Sequence, residues 1–379
     1  MNIDRKACLS GAKRIVVKVG SNVLTRDNGL NLDVIESISR QISGLMDQGR
    51  EIILVSSGAM AAGLRKMAFS KRPDEIPQRQ AIAAIGQAGL MRIYEKTFAG
   101  FDRKVAQILL TAEDLADRKR YLNARNTLNT LLAWQVVPII NENDTVVTEE
   151  IKVGDNDNLS AVITLLLDAD ILINLTDIDG LYTANPRIDS SAELISEVGE
   201  ITSHIESIAT GLPGRLGTGG MLTKVTAARK TTAGSIPMII ARGSRPNILE
   251  DLFRGEALGT FFTPAKERLN SRKCWIAFNL KPKGRLTIDD GAARAIAKQG
   301  KSLLAAGIKK VSGFFDVGDP VAFYDQAGNK LGMGLVNYGS SDIEKIKGMN
   351  STCIADRLGS KPYDEVIHRD NLVFTFKPV

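Results

Sequence analysis

Residues 140–161, INENDTVVTEEIKVGDNDNLSA, constrain the fold more than any other stretch of the chain. Six carboxylates, four asparagines and one lysine are crowded there between two apolar runs. The run before it, residues 136–140, reads as a buried strand. The run after it, residues 161–169, reads as a helix whose first turn is NDNLS. A buried strand that feeds a dense polar loop into a helix N-terminus is how a parallel α/β sheet places its ligand.

Other strand candidates repeat this plan. Residues 14–20 (RIVVKVG) are a β-branched run containing Lys18, which is costly to bury unless its ammonium meets an anion at the strand's C-terminal edge. Residues 51–56 (EIILVS) break into Ser57, Gly58 and Ala59, a small-residue turn that can bring backbone N–H groups close to an anion. Residues 105–110, 170–175 and 237–241 are further strands, and Thr176, Asp177 and Asp179 follow the second of these. Between them, residues 32–46, 76–99, 113–134 and 221–233 read as helices. Gly86 and Gly89 in the second suggest close helix packing, and Arg118, Arg120, Asn123 and Arg125 give the third a polar face. Residues 211–224, GLPGRLGTGGMLTK, carry four glycines in their last eleven positions and read as a flexible or phosphate-cradling loop. The alternation predicts an α/β domain: an open, mostly parallel sheet sandwiched by helices.

Past residues 259–273 the pattern changes. Short strands are expected at 275–279, 285–288, 311–315, 320–324, 333–336 and 373–376, with helices at 289–298 and 341–347. This reads as a second, small β-barrel-like domain, giving boundaries of 1–265 and 274–360. Charge divides the same way. Residues 266–379 hold 19 Lys and Arg against 12 Asp and Glu, while the rest of the chain is nearly balanced, so the net +6 comes from the last third. A basic surplus there is a hint of an anionic partner.

Composition narrows the setting. No apolar run is long enough to cross a membrane. The N-terminus lacks the apolar segment of a signal peptide. Cys8, Cys274 and Cys353 are odd in number and far apart, which suggests neither a disulfide frame nor a zinc site and fits a reducing cytoplasm.

The chemistry follows from what is present and what is scarce. Lys18, Lys224 and the glycine loop point to phosphate, but neither a GxxxxGK[ST] loop nor a dinucleotide fingerprint occurs. Only two histidines, His204 and His368, are present and neither lies in a polar cluster, so a histidine base is not expected. A carboxylate acceptor would need no base, being an anion at neutral pH. Phosphoryl transfer to it needs in-line positioning and charge cancellation by lysine and Mg²⁺. The carboxamides could hold a zwitterionic amino acid, with Asp144 or a neighbour taking its ammonium.

The segments KVGSNVLT, SSGAMAAG, DRKRYLNARNT, PIINENDTV, IKVGDNDNLSA, LTDIDGLYT and GTGGMLTK, in this order, resemble the glutamate 5-kinases of the amino-acid-kinase fold. GRLTIDDGAARAIAKQGKSLLAAGIKKVSG resembles their C-terminal PUA domain. Ser21-Asn22 departs from a common Thr-Ser. The resemblance implies ATP-dependent phosphorylation of the L-glutamate side-chain carboxylate, the first step of proline biosynthesis, with proline as inhibitor. It implies Lys18 and Lys224 at the transferring phosphoryl group, and Asp155 and Asp157 orienting them. Ser57, Asp144 and Asn156 would bind glutamate. Lys18, Thr176, Asp177, Thr218, Gly219, Gly220, Met221, Leu222, Thr223 and Lys224 would bind ATP. Mg²⁺ is implied without a ligand set; Asp177, Asp179, Asp155 and Asp157 are candidates. A homo-oligomer, dimer or tetramer, is also implied. The closest rival reading is a sister kinase acting on aspartate, acetylglutamate, carbamate or a nucleoside monophosphate, which KVGDNDNLSA argues against; RNA binding through the basic domain is the rival from another class, with a regulatory or structural role for that domain preferred.

Overall fold

The computed structural model describes residues 4–26, 29–69, 71–146, 156–210, 220–266 and 268–374. The chain divides into two compact units, Met1–Arg268 and Leu269–Val379.

The strands of the first unit are β1 (Arg14–Val19), β2 (Thr25–Arg26), β3 (Gly29–Leu30), β4 (Glu51–Ser56), β5 (Val105–Leu110), β6 (Val137–Glu142), β7 (Ile171–Thr176), β8 (Glu197–Val198), β9 (Met238–Arg242) and β10 (Thr260–Phe262). β2 and β3 pair as a small hairpin. The other eight form one sheet in the order β5-β6-β4-β1-β7-β9-β10-β8. All its pairings are parallel except β9 with β10. The chain fills one side of β1 with β4, β5 and β6, then crosses to the other side for β7 and β9. That reversal opens a crevice at the C-terminal ends of the strands beside β1.

Side-chain alternation along the strands separates core from site. Ile15, Val17 and Val19 of β1, Ile52 and Leu54 of β4, and Ile171, Ile173 and Leu175 of β7 share one buried apolar cluster. Ile35, Ile38, Ile42 and Leu45 of the helix Leu32–Asp47 and Leu90, Tyr94 and Phe98 of the helix Ile76–Ala99 complete it. The intervening positions, among them Lys18 and Asn174, therefore face the opposite side, where the helix Asn156–Leu166 lies. That helix is buried over nearly its whole circumference, including Asn156 and Asp157 in its first turn.

Two helices of small residues seat the turn after β4. A Cβ on Gly86 would stand 1.8 Å from the Ala59 carbonyl oxygen, and one on Gly63 would stand 1.9 Å from that of Ile82. The helices Ala59–Lys66 and Ile76–Ala99 thus touch backbone to backbone, as the glycines suggested. Gly89 has no part in it, since its Cβ would meet nothing within 4 Å.

Two local expectations are corrected, and two short strands are added. The polar helix expected over residues 113–134 is two helices, Ala112–Ala116 and Arg118–Ala133. Asp117 breaks the run because its side chain accepts from the Arg120 N–H and caps the second helix. The strand expected at 275–279 is part of the helix Ser271–Asn279, capped by Asn270 and burying Cys274, Trp275 and Ile276. The short apolar run had carried no periodicity to tell the two apart. The strands β8 and β10 were not foreseen, being two and three residues long.

The second unit has its own five-stranded sheet. Its strands are β11 (Gly284–Ile288), β12 (Ile308–Ser312), β13 (Pro320–Tyr324), β14 (Lys330–Leu335) and β15 (Leu372–Phe374), in the order β12-β11-β13-β14-β15. Leu286, Ile288, Val321, Phe323, Ile343 and Ile367 belong to its core.

Candidate active site

Lys18, Asp157 and Lys224 come from three elements and meet at one point. Lys18 stands one residue before the end of β1 on the face turned from the apolar cluster. Lys224 lies in the buried stripe Met221, Lys224, Val225, Ala228 of the helix Met221–Ala233, a lysine where helical spacing calls for an apolar residue. Asp157 occupies the first turn of the helix Asn156–Leu166, where the helix dipole favours an anion. Lys18 Nζ is 2.5 Å from Asp157 Oδ1 and Lys224 Nζ is 3.0 Å from Oδ2. The three residues are 4 %, 2 % and 6 % exposed in chain order, so the charges interact with little screening by water.

Neutral donors complete the carboxylate's shell. Asn174 Nδ2 donates to Oδ1 at 2.8 Å and the Thr223 hydroxyl to Oδ2 at 2.6 Å. Burial by itself would raise the Asp157 pKa. The two ammonium groups and the hydrogen bonds from Lys18 and Thr223 overcome it and hold the carboxyl well below the usual carboxylate range.

A chain of carboxamides runs away from this cluster. Asn156 Nδ2 donates to Ser57 Oγ and Asn141 Oδ1, both at 2.9 Å, and lies 3.3 Å from the Ser56 carbonyl. Asn141 Nδ2 donates in turn to Gln87 Oε1 at 2.9 Å. Among the described residues, the Asn156 Oδ1 and Gln87 Nε2 atoms are buried without a hydrogen-bond partner. These two open valences, an acceptor and a donor, suit a ligand that carries both ammonium and carboxylate.

Asp144 follows β6 beside a cavity of about 240 Å³ that Gln87, Gln107, Leu109 and Glu142 also line. Burial first, and then the neighbouring Glu142, push its carboxyl up to about 6, with Arg72 acting the other way. On the far side of β1, Thr176 is buried at the end of β7 and its hydroxyl donates to Asp177 Oδ1 at 3.2 Å. Asp177 also accepts from Asn22 Nδ2 at 3.3 Å and pairs with Arg187 at 2.9 Å. Asp179 is bound at both oxygens by Arg242, at 2.7 and 2.8 Å.

Of the predicted site residues, Lys18, Asp157, Lys224 and Thr223 converge directly, and Ser57 joins Asn156 through a hydrogen bond. Gly220 caps the helix that Met221 and Leu222 open; Met221 is buried and Leu222 is exposed. Asp155, Thr218 and Gly219 lie outside the described residues. His204 is on the exposed side of the helix Ser203–Thr210. Asn174 and Gln87 were missed. Asn174 had a signal of the same kind as Lys18, a polar residue inside an apolar strand; Gln87 was one glutamine among several in a polar-and-alanine helix.

Residues 13–242 match the amino acid kinase family, and residues 284–357 match the PUA domain. The chain belongs to the amino acid kinase family. It is a kinase, and its similarity to curated members of the family runs almost end to end. A glutamate 5-kinase of Caldanaerobacter subterraneus subsp. tengcongensis is 52 % identical over 361 residues, 95 % of this chain and 97 % of that one. Glutamate 5-kinases of Syntrophus aciditrophicus and Geobacter sulfurreducens are 50 % and 51 % identical, over 98 % and 97 % of this chain and 97 % and 99 % of theirs. The amino-acid-kinase fold and the additional PUA domain expected from the sequence are both borne out, and in the described residues no helix is long and apolar enough to cross a membrane.

Proposed function

We propose that this kinase transfers the γ-phosphoryl group of ATP to the side-chain carboxylate of L-glutamate, forming L-glutamyl 5-phosphate, the first step of proline biosynthesis. The observation that carries the reading is the pair of buried lysine ammoniums held on one carboxylate at the sheet's switch point. A transferring phosphoryl group spreads negative charge over its oxygens, and two preorganised cations in a dry site stabilise that charge strongly. The acceptor carboxylate is already deprotonated at neutral pH, which agrees with a site whose one central carboxylate is tied to lysines rather than poised as a base.

In this reading Lys18 and Lys224 bear on the phosphates, and Asp157 orients both. Asp155 would assist it. Ser57, Asn156 and Asp144 hold glutamate, with the unpartnered Asn156 Oδ1 and the Asp144 carboxylate as acceptors for its ammonium. Thr176, Asp177 and the segment from Thr218 to Lys224 line the nucleotide site. Mg²⁺ would supply further charge neutralisation. Among the described residues no three metal-ligating side chains gather, Asp157 is taken up by two lysines, and Asp179 is taken up by Arg242. Magnesium commonly binds through substrate phosphates with few protein groups, so the ion would arrive on the nucleotide. Inhibition by proline near the glutamate pocket, and a homo-oligomeric assembly, belong to the same proposal and rest on the sequence resemblance alone.

The test is ATP consumption with L-glutamate in the presence of hydroxylamine, which traps an acyl phosphate as a hydroxamate. Glutamate-dependent hydroxamate that proline suppresses is expected. Hydroxamate with another acid but none with glutamate would move the substrate and leave the phosphoryl site. None with any acid would overturn the reading.

A further inference from the structure

Asp157 receives four donors, and they are distributed evenly. Oδ1 takes Lys18 Nζ at 2.5 Å and Asn174 Nδ2 at 2.8 Å. Oδ2 takes Lys224 Nζ at 3.0 Å and Thr223 Oγ1 at 2.6 Å. Each oxygen therefore has one cationic donor on a long side chain and one neutral donor on a short one. The Thr223 hydroxyl is also 2.7 Å from the Gly220 carbonyl, but its single proton favours the ionised acceptor.

Resting on the phosphoryl-transfer reading above, we propose that Asn174 is a positioning residue: its amide fixes the buried Asp157 carboxylate, so that Asp157 can hold Lys18 and Lys224 toward the phosphates. Thr223 does the same at the other oxygen. A carboxylate 2 % exposed whose two cations are shared with phosphate oxygens needs its neutral donors to stay satisfied and in place. A neutral amide is drawn far less to a phosphate than an ammonium is, so it stays.

Two features of Asn174 point to this role. It lies in the interior of β7, opposite Lys18 in register on one side and Ile240 on the other, so both neighbouring strands fix its backbone. It is fully buried, and its Oδ1 has no partner among the described residues. An unpaired buried oxygen is destabilising, and an apolar side chain of the same size would avoid it. The strand retains the amide at that cost, and among the described residues the one hydrogen bond the amide makes is to Asp157.

The experiment compares full-length wild type with N174L, T223V and T223S. With ATP and L-glutamate, N174L is expected to lose roughly tenfold in kcat with KM for glutamate unchanged. T223V should behave alike and T223S should recover, because it restores the hydroxyl. Alongside the kinetics, stabilisation of the melting temperature by AMP-PNP, an ATP analogue that is not turned over, should shrink in N174L. The ligand-free melting temperature should stay near that of the wild type, since the lost hydrogen bond is offset by removal of the unpaired oxygen. Wild-type kcat together with a wild-type AMP-PNP shift in N174L would overturn the proposal, as would a raised KM for glutamate at unchanged kcat. If N174L does not fold, T223V and T223S decide the same question at Oδ2. Should the wild type not phosphorylate glutamate, the functional reading fails, and the AMP-PNP comparison still decides for or against Asn174.

Discussion

The site has two halves, and they are built on opposite electrostatic plans. Around Asp157 every charge is answered: two ammoniums, an amide and a hydroxyl saturate one carboxylate, and its proton affinity is driven far down. Around Asn156 and Asp144 charge is sparse and valences are open. Carboxamides bond to one another, two of their atoms lack partners among the described residues, and burial pushes the Asp144 carboxyl up to about 6. The first half is arranged for a ligand whose charge is much larger than the site's own. The second is arranged for a small ligand that brings its own ion pair and completes unfinished hydrogen bonds. A single fold can hold both because the switch point places them on either side of β1 and β4, at the ends of different strands.

The contrast can be broken at its strongest point first. Lys18→Met or Lys224→Met should reduce turnover by about 10³-fold, the order expected when a preorganised donor to a transition state is removed. Far-UV circular dichroism should report a retained fold, as the other lysine still faces Asp157. Near-normal rates in both variants would remove the phosphoryl-binding half as described.

Asn156→Ala acts in the other half. It should raise KM for glutamate by at least roughly tenfold, the consequence of losing hydrogen bonds to a charged ligand. Steady-state kinetics distinguish this from the lysine variants, which lower kcat. A fall in kcat with KM unchanged would merge the two halves into one.

Gly86→Ala tests the seat of Ser57 without touching a polar group. Its Cβ would fall 1.8 Å from the Ala59 oxygen, so the helices must part, at a cost of about 1–3 kcal/mol or more. Gly89→Ala, three residues on and unobstructed, should instead stabilise by about 0.5–1 kcal/mol. Denaturant unfolding of the pair reads the difference, and equal effects would contradict the backbone contact.

Protonation separates the halves most finely. A carboxyl raised in the folded state contributes stability below its unfolded pKa, about 3.9, and loses that contribution as pH rises through its folded value. For Asp144 that window ends at about 6. Asp144→Asn should therefore stabilise the chain by about 2 kcal/mol at pH 7 and hardly at all at pH 4. Asp157 runs the other way: its depressed pKa stabilises above about 3.9 and the contribution fades as acid is added below that. Stability curves of D144N and wild type that stay parallel from pH 4 to pH 7 would mean that Asp144 does not titrate as its burial requires.

Much of this was readable in advance where a residue broke the pattern around it. Lys18 in an apolar strand and the polar loop with its NDN turn between two apolar runs are polar groups in places where burial demands a partner, so their presence implied a site, and Lys224 was legible through the glycine loop it ends. Spacing along the chain also determined the strand–helix alternation and hence the parallel sheet. The tertiary structure alone decided which partner each group found. Lys18 and Asp157 are 139 residues apart, and Asn174 shares an oxygen with Lys18 because β7, and not another strand, lies beside β1. It also decided that Gly86 packs and Gly89 does not, and that Asp144 becomes a weak acid while Asp157 becomes a strong one. The physical reason is common to these cases. Periodicity is a local property of the chain, but desolvation and Coulomb interaction depend on distance in space, and strand order is what sets that distance.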